Sequence, residues 1–401
     1  MSDESTRMAA LREALTNLRG QSPALARQLE GVEIGALRSR ADLSRIPVLR
    51  KSELAAMQRA APPFGGVAAT APGRFKRLFA SPGSIFEPQD YGEDVWGAAS
   101  ALAAAGLSAG EIVVNCFSYH LTPGGFIMES GAHALGCAVI PAGPGNTEQT
   151  LQAIAHLRPT TYCGPPDFLK ILLDKAGEAG LDVSSIRKAL VSGAALPSSL
   201  RAELERRGVK TRQAYATAEL GVIAFETDAA DGSAAPGLAV SDAVLLEIVT
   251  PGAGVPVADG KVGEVVVTRL GVNYPLLRFA TGDLSAFLPV SPDDARARIK
   301  GWMGRADQTT KIKGLFVHPS QVVEIGKRHP ELGALRLIVR RQGEQDAMTL
   351  AAEASSPRAG LAQEVAATLQ SVTKMRGAVE FVAPGALPND GKIIADERPT
   401  Q

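Results

Sequence analysis

Apolar side chains recur at helical spacing at the start of the chain, with Leu11, Leu15 and Leu18 on one stripe. Ser22 and Pro23 then interrupt the run before Leu25 and Leu29 resume it. The pattern predicts a helical opening, and Lys51, Ser52 and Glu53 open another helix after Ala41–Arg50. A Pro/Gly/Ala-rich stretch leads to Arg77, Leu78 and Phe79, read as a strand, and to a turn at Ser81–Ser84. From Asp94 the period alternates between 3.6 and a buried-strand type. Helices are expected at 94–106, 124–135, 148–157, 166–180 and 197–208, with strands at 112–117, 138–142, 160–164, 188–193 and 212–215. Such alternation predicts a parallel or mixed sheet covered by helices, with ligands bound at loops after the carboxyl ends of strands.

After Gly232 the pattern changes to strands and turns, at Ala243–Val249, Gly263–Leu270 and Leu284–Val290. This β-rich region closes a large first domain, 1–303. The remainder, 304–401, carries its own α/β pattern: strands at 335–340, 347–354 and 379–382, a helix at 361–374, and a tail read as a loop around Lys392. The fold class is therefore α/β, with a large N-terminal domain of layered sheets plus a β-rich subdomain, and a small C-terminal α/β domain.

Composition narrows the function classes. With 42 Lys plus Arg against 42 Asp plus Glu, the 401-residue chain has no global field to attract nucleic acid or an anionic membrane. No segment approaches the ~20 apolar residues that span a bilayer, and the first fifteen residues lack a signal-peptide core. A cytoplasmic location is expected. Cys116, Cys137 and Cys163 sit in apolar runs without zinc or redox spacing and are expected to be buried thiols.

Candidate chemistry concentrates between Tyr274 and Gln321. Thr281, Gly282 and Asp283 read as a tight turn offering a carboxylate, and Arg305 and Asp307 follow a glycine. An Asp in such a turn accepts two hydroxyl hydrogen bonds and an Arg forks onto phosphate, which suits a ribose phosphate. Two ordinary loops would have the same composition. Further candidate loops are Ser81–Ser84, Val191–Pro197 and Gln213–Gly221.

Taken in order, these segments resemble the phenylacetate-CoA ligase branch of the adenylate-forming (AMP-binding, acyl-CoA synthetase) superfamily. The specific stretches are VIPAGPGNTEQTLQAI (139–154) and GRADQTTKIKGLFVHPSQ (304–321), and the similarity covers nearly the whole chain. The resemblance implies a mobile small domain and an enzyme that joins a small, aromatic (phenylacetate-like) or other carboxylic acid to coenzyme A at the expense of ATP, through an acyl-adenylate. By the same resemblance Ser192, Gly193 and Ala194 would wall the adenine, and Tyr215 would stack on it, with Ala216 and Thr217 beside it. Asp283 would hold the ribose hydroxyls, and Arg305 would meet the ribose or α-phosphate. Glu219 would bind Mg²⁺, Asp307 would be the hinge, and Lys392 the catalytic lysine. Tyr119, His120, Thr122 and Gly124 fall where the family lines its acyl pocket, and a homodimer is plausible.

The chain also departs from the family. In the stretch matching the phosphate loop, Phe79–Gln89, Ser81, Gly83 and Ser84 remain, but the threonine pair and the lysine are missing and Glu87 adds negative charge. Ala195 and Ala218 replace an acid and a hydroxyl residue. Weakened triphosphate binding is expected, and Thr122 stands where an aromatic contact to a phenyl ring would. No Cys or His lies in 224–248, so no structural zinc is expected there. Two other outcomes stay open: adenylation with delivery to an amine or carrier thiol, and a catalytically silent relative that binds AMP, an acyl-adenylate or acyl-CoA.

Overall fold

The computed structural model describes residues 4–81, 85–269, 272–289, 296–306, 308–313, 315–342, 345–388 and 392–398. The chain divides into two compact units, Met1–Met303 and Gly304–Gln401.

The first unit is built on an eight-stranded sheet. Its order runs Arg298–Ile299, Leu238–Val240, Gly221–Phe225, Lys210–Thr217, Lys188–Val191, Thr161–Gly164, Ile112–Asn115, Ala138–Pro141. The last five strands are mutually parallel, and the pairings from Lys210–Thr217 onward to Arg298–Ile299 are antiparallel. Both faces of the parallel part are covered, which is why its strands read as continuous apolar runs rather than alternating ones. Successive side chains go to opposite layers. Val113, Cys163 and Leu190 face a core with Ala101, Leu102, Ile127 and Met128, whereas Val114, Tyr162, Ala189 and Val191 face one with Leu151, Ile154, Leu169 and Leu204. Cys116, Cys137 and Cys163 are all buried free thiols.

Two expectations for this sheet are corrected. The helix expected from Asp94 begins at Ala98, after its N-cap Gly97, and the Asp94 carboxylate accepts from the amides of Ala98 (2.9 Å) and Ala99 (2.8 Å) in its first turn. The strand expected to end at Tyr215 continues to Thr217, since it finds an antiparallel partner in Gly221–Phe225.

A second sheet, Leu49–Arg50, Phe279–Ser285, Gly263–Arg269, Val244–Val249, forms the β-rich part. The ion pair of Arg278 and Glu247 is buried beneath it at 2.9 Å, and Arg278 also donates to the carbonyls of Ile46 and Gly254. The opening helices Glu4–Leu18 and Pro23–Gln28 pack through Leu11, Leu15 and Leu25 against Leu245 and Leu277 of this part. The hairpin Arg77–Ser81/Ile85–Gln89 stands apart as a two-stranded ribbon; the turn that joins its strands, with Gly83, lies outside the described residues.

The second unit has a four-stranded sheet, in the order Ala378–Val382, Gln345–Glu353, Leu335–Gln342, Ile394–Asp396, and a hairpin Thr310–Ile312/Leu315–Val317. Helices Pro319–Arg328 and Leu361–Thr373 bury Val322, Ile325, Val365 and Leu369 against it. The tail is not merely a loop: Ile394–Asp396 joins the sheet parallel to Leu335–Gln342, because Ile394 fills the core beside Leu337. Among the described residues, no helix is long and apolar enough to cross a membrane.

Candidate active site

The parallel strands end along one edge of the large sheet, and the candidate residues of the first unit gather there. Ser192, Gly193 and Ala194 follow Lys188–Val191, whose neighbour is Lys210–Thr217, bearing Tyr215, Ala216 and Thr217. Gly193 has φ +77, a conformation that glycine adopts at no steric cost.

Two irregularities aim the polar side chains. The pairing of Lys210–Thr217 with Gly221–Phe225 shifts register between Tyr215 and Ala216. In the second sheet Glu264 pairs with Leu284 while Val266 pairs with Ala280, so Thr281, Gly282 and Asp283 stand opposite the single Val265 and the strand carries two extra residues there. The tight turn expected at these three residues is thus a bulge inside Phe279–Ser285, with Gly282 at φ +76. Local composition cannot tell the two apart, since both need a glycine at positive φ. The two bulges meet: Tyr215 Oη donates to Asp283 Oδ2 at 2.7 Å, and Trp302 Nε1 donates to Oδ1 at 3.1 Å. Asp283 is buried.

A few residues along the chain from Tyr215 lies a charged cluster that the sequence reading did not assemble. Glu219 occupies the turn after Thr217 and is 5% exposed, and the Lys51 ammonium lies 2.6 Å from its Oε1. Burial pushes the Glu219 carboxyl up, but the charge and hydrogen bond of Lys51, with Thr217 adding, hold it below the usual carboxylate range. Arg269, buried beneath, donates to the Leu220 carbonyl at 2.8 Å and fixes the turn from inside. Lys51 reaches this place through register. Leu49 and Arg50 pair with Phe279 and Ala280, so the helix Lys51–Ala60 starts beside the bulge. Only the helix start was legible in the sequence, because that pairing spans more than two hundred residues.

The same helix clamps the hairpin. Gln58 donates to the Phe86 carbonyl at 2.8 Å and accepts from the Phe86 amide at 2.9 Å, so the next residue, Glu87, is carried into the cluster. Glu87 is 3% exposed, and its Oε2 accepts from Ser81 Oγ at 2.8 Å. Burial, then the Glu219 charge, pushes its carboxyl up to about 8, so it is a neutral acid at neutral pH.

Tyr119, His120, Thr122 and Gly124 share the loop and helix start after Ile112–Asn115. His120 is exposed. The Tyr119 ring packs edge-on to Phe126 at 4.9 Å; Asn115 Nδ2 donates to its hydroxyl at 2.8 Å, and Glu129 also engages it. The loop touches the hairpin where the Ala80 amide donates to the Leu121 carbonyl at 2.8 Å.

Arg305 and Lys392 belong to the second unit, where the Arg305 guanidinium stands 5.9 Å from the Phe316 ring centroid. Lys392 is exposed, and the Ile393 amide that follows it donates to Gln308 Oε1 at 2.7 Å. Asp307 lies outside the described residues.

Among the described residues no three His, Cys, Asp or Glu side chains stand together as a metal cage. Glu219, a single ionised oxygen donor, fits a magnesium ion that takes its other ligands from phosphates and water.

Beside this mixed sheet with its buried aspartate and carboxylate–ammonium cluster stands a match to the profile described as AMP-binding enzyme, over residues 93–273. The phenylacetate-coenzyme A ligase of Aromatoleum evansii is 28% identical over 400 residues, 93% of this chain and 89% of that ligase. The ligase of the same name from Thermus thermophilus is 31% identical over 347 residues, 82% of this chain and 75% of its own. The chain belongs to the phenylacetate-coenzyme A ligase family. Its fold is that of 2-hydroxyisobutyryl-CoA ligase, solved with 2-HIB-AMP and CoA, at TM-score 0.79 and 22% identity, covering 98% of this chain and 90% of that one.

Proposed function

We propose that this chain is an AMP-forming acid-CoA ligase that activates a small carboxylic acid, phenylacetate-like or aliphatic, and passes it to coenzyme A. The observation that carries this reading is the Tyr215–Asp283 pair on two facing bulges, with Glu219 in the turn that follows Tyr215. Asp283 accepts the two ribose hydroxyls, the Tyr215 ring covers the adenine, and Ser192, Gly193, Ala194, Ala216 and Thr217 border it. The carboxylate oxygen of the acid attacks the α-phosphorus and the bond to pyrophosphate breaks. The thiol sulfur of coenzyme A then attacks the acyl carbon and AMP leaves. Lys392 and Arg305 neutralise charge that grows on the α-phosphate. Ser81 and Gly83 belong to the segment assigned to the phosphates, and Tyr119, His120, Thr122 and Gly124 to the acyl pocket. Bound at Glu219, magnesium supplies charge neutralisation to the phosphates. Asp307 is assigned the hinge between units 1–303 and 304–401, and we assign a homodimer in the cytoplasm.

The test is ATP–pyrophosphate exchange with magnesium across aryl, arylacetic and short aliphatic acids, followed by thioester formation with coenzyme A. Acid-dependent exchange that Lys392→Ala abolishes supports the reading. The missing threonine pair and lysine, with the negative charge that Glu87 adds, favour a second reading: no exchange with any acid while AMP still binds would make this a nucleotide-binding relative without adenylation. Exchange without thioester would instead point to an amine or carrier thiol as acceptor.

A further inference from the structure

The second unit carries a cleft that the proposed reaction leaves unused. Its volume is about 480 Å³, within the range that holds a small-molecule ligand. Three segments wall it: the hairpin at Ile312 and Lys313, the first residues of the strand Gln345–Glu353, and 375–378. Two turns deliver cations to it. Lys313 takes φ +47 just past Thr310–Ile312. Lys374, at φ +63, ends the helix Leu361–Thr373, after which Met375 is buried and Arg376 exposed. Gly377 then lies so close to the sheet that a Cβ would stand 2.8 Å from Met348 Cγ, which pins the segment bearing Arg376 to the strand.

The lining is apolar below and cationic above. Met348 and Met375 are buried with Ile312. Asp346 is the acid among these residues, and its charge is matched, since Arg398 Nη1 lies 2.9 Å from its Oδ2. Arg328, Arg340 and Arg358 of the same unit are likewise paired, with Glu324, Glu397 and Glu364. Lys313 and Arg376 are exposed and form no ion pair among the described residues. Unmatched cations beside a methionine floor suit a ligand with an anionic group and a flat ring. Guanidinium forks onto phosphate, and thioether sulfur packs favourably on aromatic rings.

We propose that this cleft binds the phosphorylated nucleoside end of coenzyme A, with Lys313 and Arg376 on its 3′-phosphate and Met348 and Met375 beneath its purine. The assignment rests on the reading of the chain as an acid-CoA ligase. A free nucleotide offers the same chemistry of purine and phosphate. AMP and ATP, however, lack a 3′-phosphate and already have a place at Tyr215 and Asp283, so coenzyme A is the occupant that remains for a second nucleoside phosphate site.

The experiment is isothermal titration of coenzyme A, dephospho-coenzyme A and AMP into the full chain and into the double variant Lys313→Gln/Arg376→Gln. Dephospho-coenzyme A lacks only the 3′-phosphate, so the two thiols isolate that contact. Loss of the charged hydrogen bonds predicts coenzyme A binding about tenfold weaker to the variant than to wild type. Dephospho-coenzyme A binds both proteins alike, and an unchanged AMP affinity shows that the variant is folded. Equal affinity of the two proteins for coenzyme A overturns the assignment while leaving the ligase reading standing, as does an equal loss for coenzyme A and dephospho-coenzyme A. An AMP affinity that falls together with that for coenzyme A gives the cleft to free nucleotides and overturns coenzyme A as its occupant. Absence of coenzyme A binding to a wild type that still binds AMP overturns the ligase reading, and the assignment with it.

Discussion

Replacing Glu87 by glutamine should stabilise the folded protein by an amount that grows with pH. In the unfolded chain this carboxyl ionises at its ordinary 4.5, whereas in the fold burial and Glu219 push it up to about 8. Folding above the ordinary value therefore takes up a proton, and the fold's stability falls as pH rises towards about 8. Glutamine carries no such linkage. A carboxyl held up at about 8 sets a ceiling on the order of 5 kcal/mol on the gap between variant and wild type. The gap is under about 1 kcal/mol near about pH 5, about 3 kcal/mol at about pH 7, and level above about pH 8.5. For a unit of this size that corresponds to a Tm difference on the order of 5–10 °C at neutral pH and above. Thermal unfolding of both proteins, followed by circular dichroism across this range, measures the gap, because the titrating groups that do not interact with Glu87 are common to the two and cancel. Parallel pH profiles would refute the reasoning, showing that Glu87 is ionised in the fold or reaches solvent.

Other perturbations test the rest of the architecture. Tyr215→Phe removes a donor to a buried carboxylate, and the loss of about 1.5–3 kcal/mol should appear as AMP affinity lower by about 10- to 100-fold in calorimetry. Lys392→Ala should cut pyrophosphate exchange by at least about 100-fold. Its AMP affinity, read in parallel, should stay near wild type; an unchanged exchange rate would remove Lys392 from the chemistry. Arg278→Met leaves Glu247 buried without its ion partner, and urea unfolding should report a loss of about 3–5 kcal/mol. Gly193→Ala has room for its methyl, 3.7 Å from Phe117, but not the backbone freedom, so about 1–2 kcal/mol of stability should be lost through φ +77 alone.

Period and composition determined much of this protein. Because the large sheet is covered on both faces, its strands had to be short apolar runs and its helices one-sided stripes, so their identity and order were legible in a single chain. Gly193 and Asp283 stood out for the same local reason: few residue types suit that backbone position or offer that acceptor capacity. The motifs at 139–154 and 304–321 carried the family likeness with them. Tertiary structure alone decided where the side chains meet. Tyr215 and Asp283 are joined by two bulges, and a bulge depends on the register of a partner strand distant in sequence. Lys51 looked like an ordinary helix start until Leu49 and Arg50 paired with Phe279 and Ala280. Glu87 read as one more charge in a degenerate loop, since sequence gives a carboxylate its type but not its dielectric. Burial, the Glu219 charge and a helix clamped through Gln58 turn it into a neutral acid. Those influences act through space, between segments 28 residues apart for Gln58 and Phe86 and more than a hundred apart for Glu87 and Glu219.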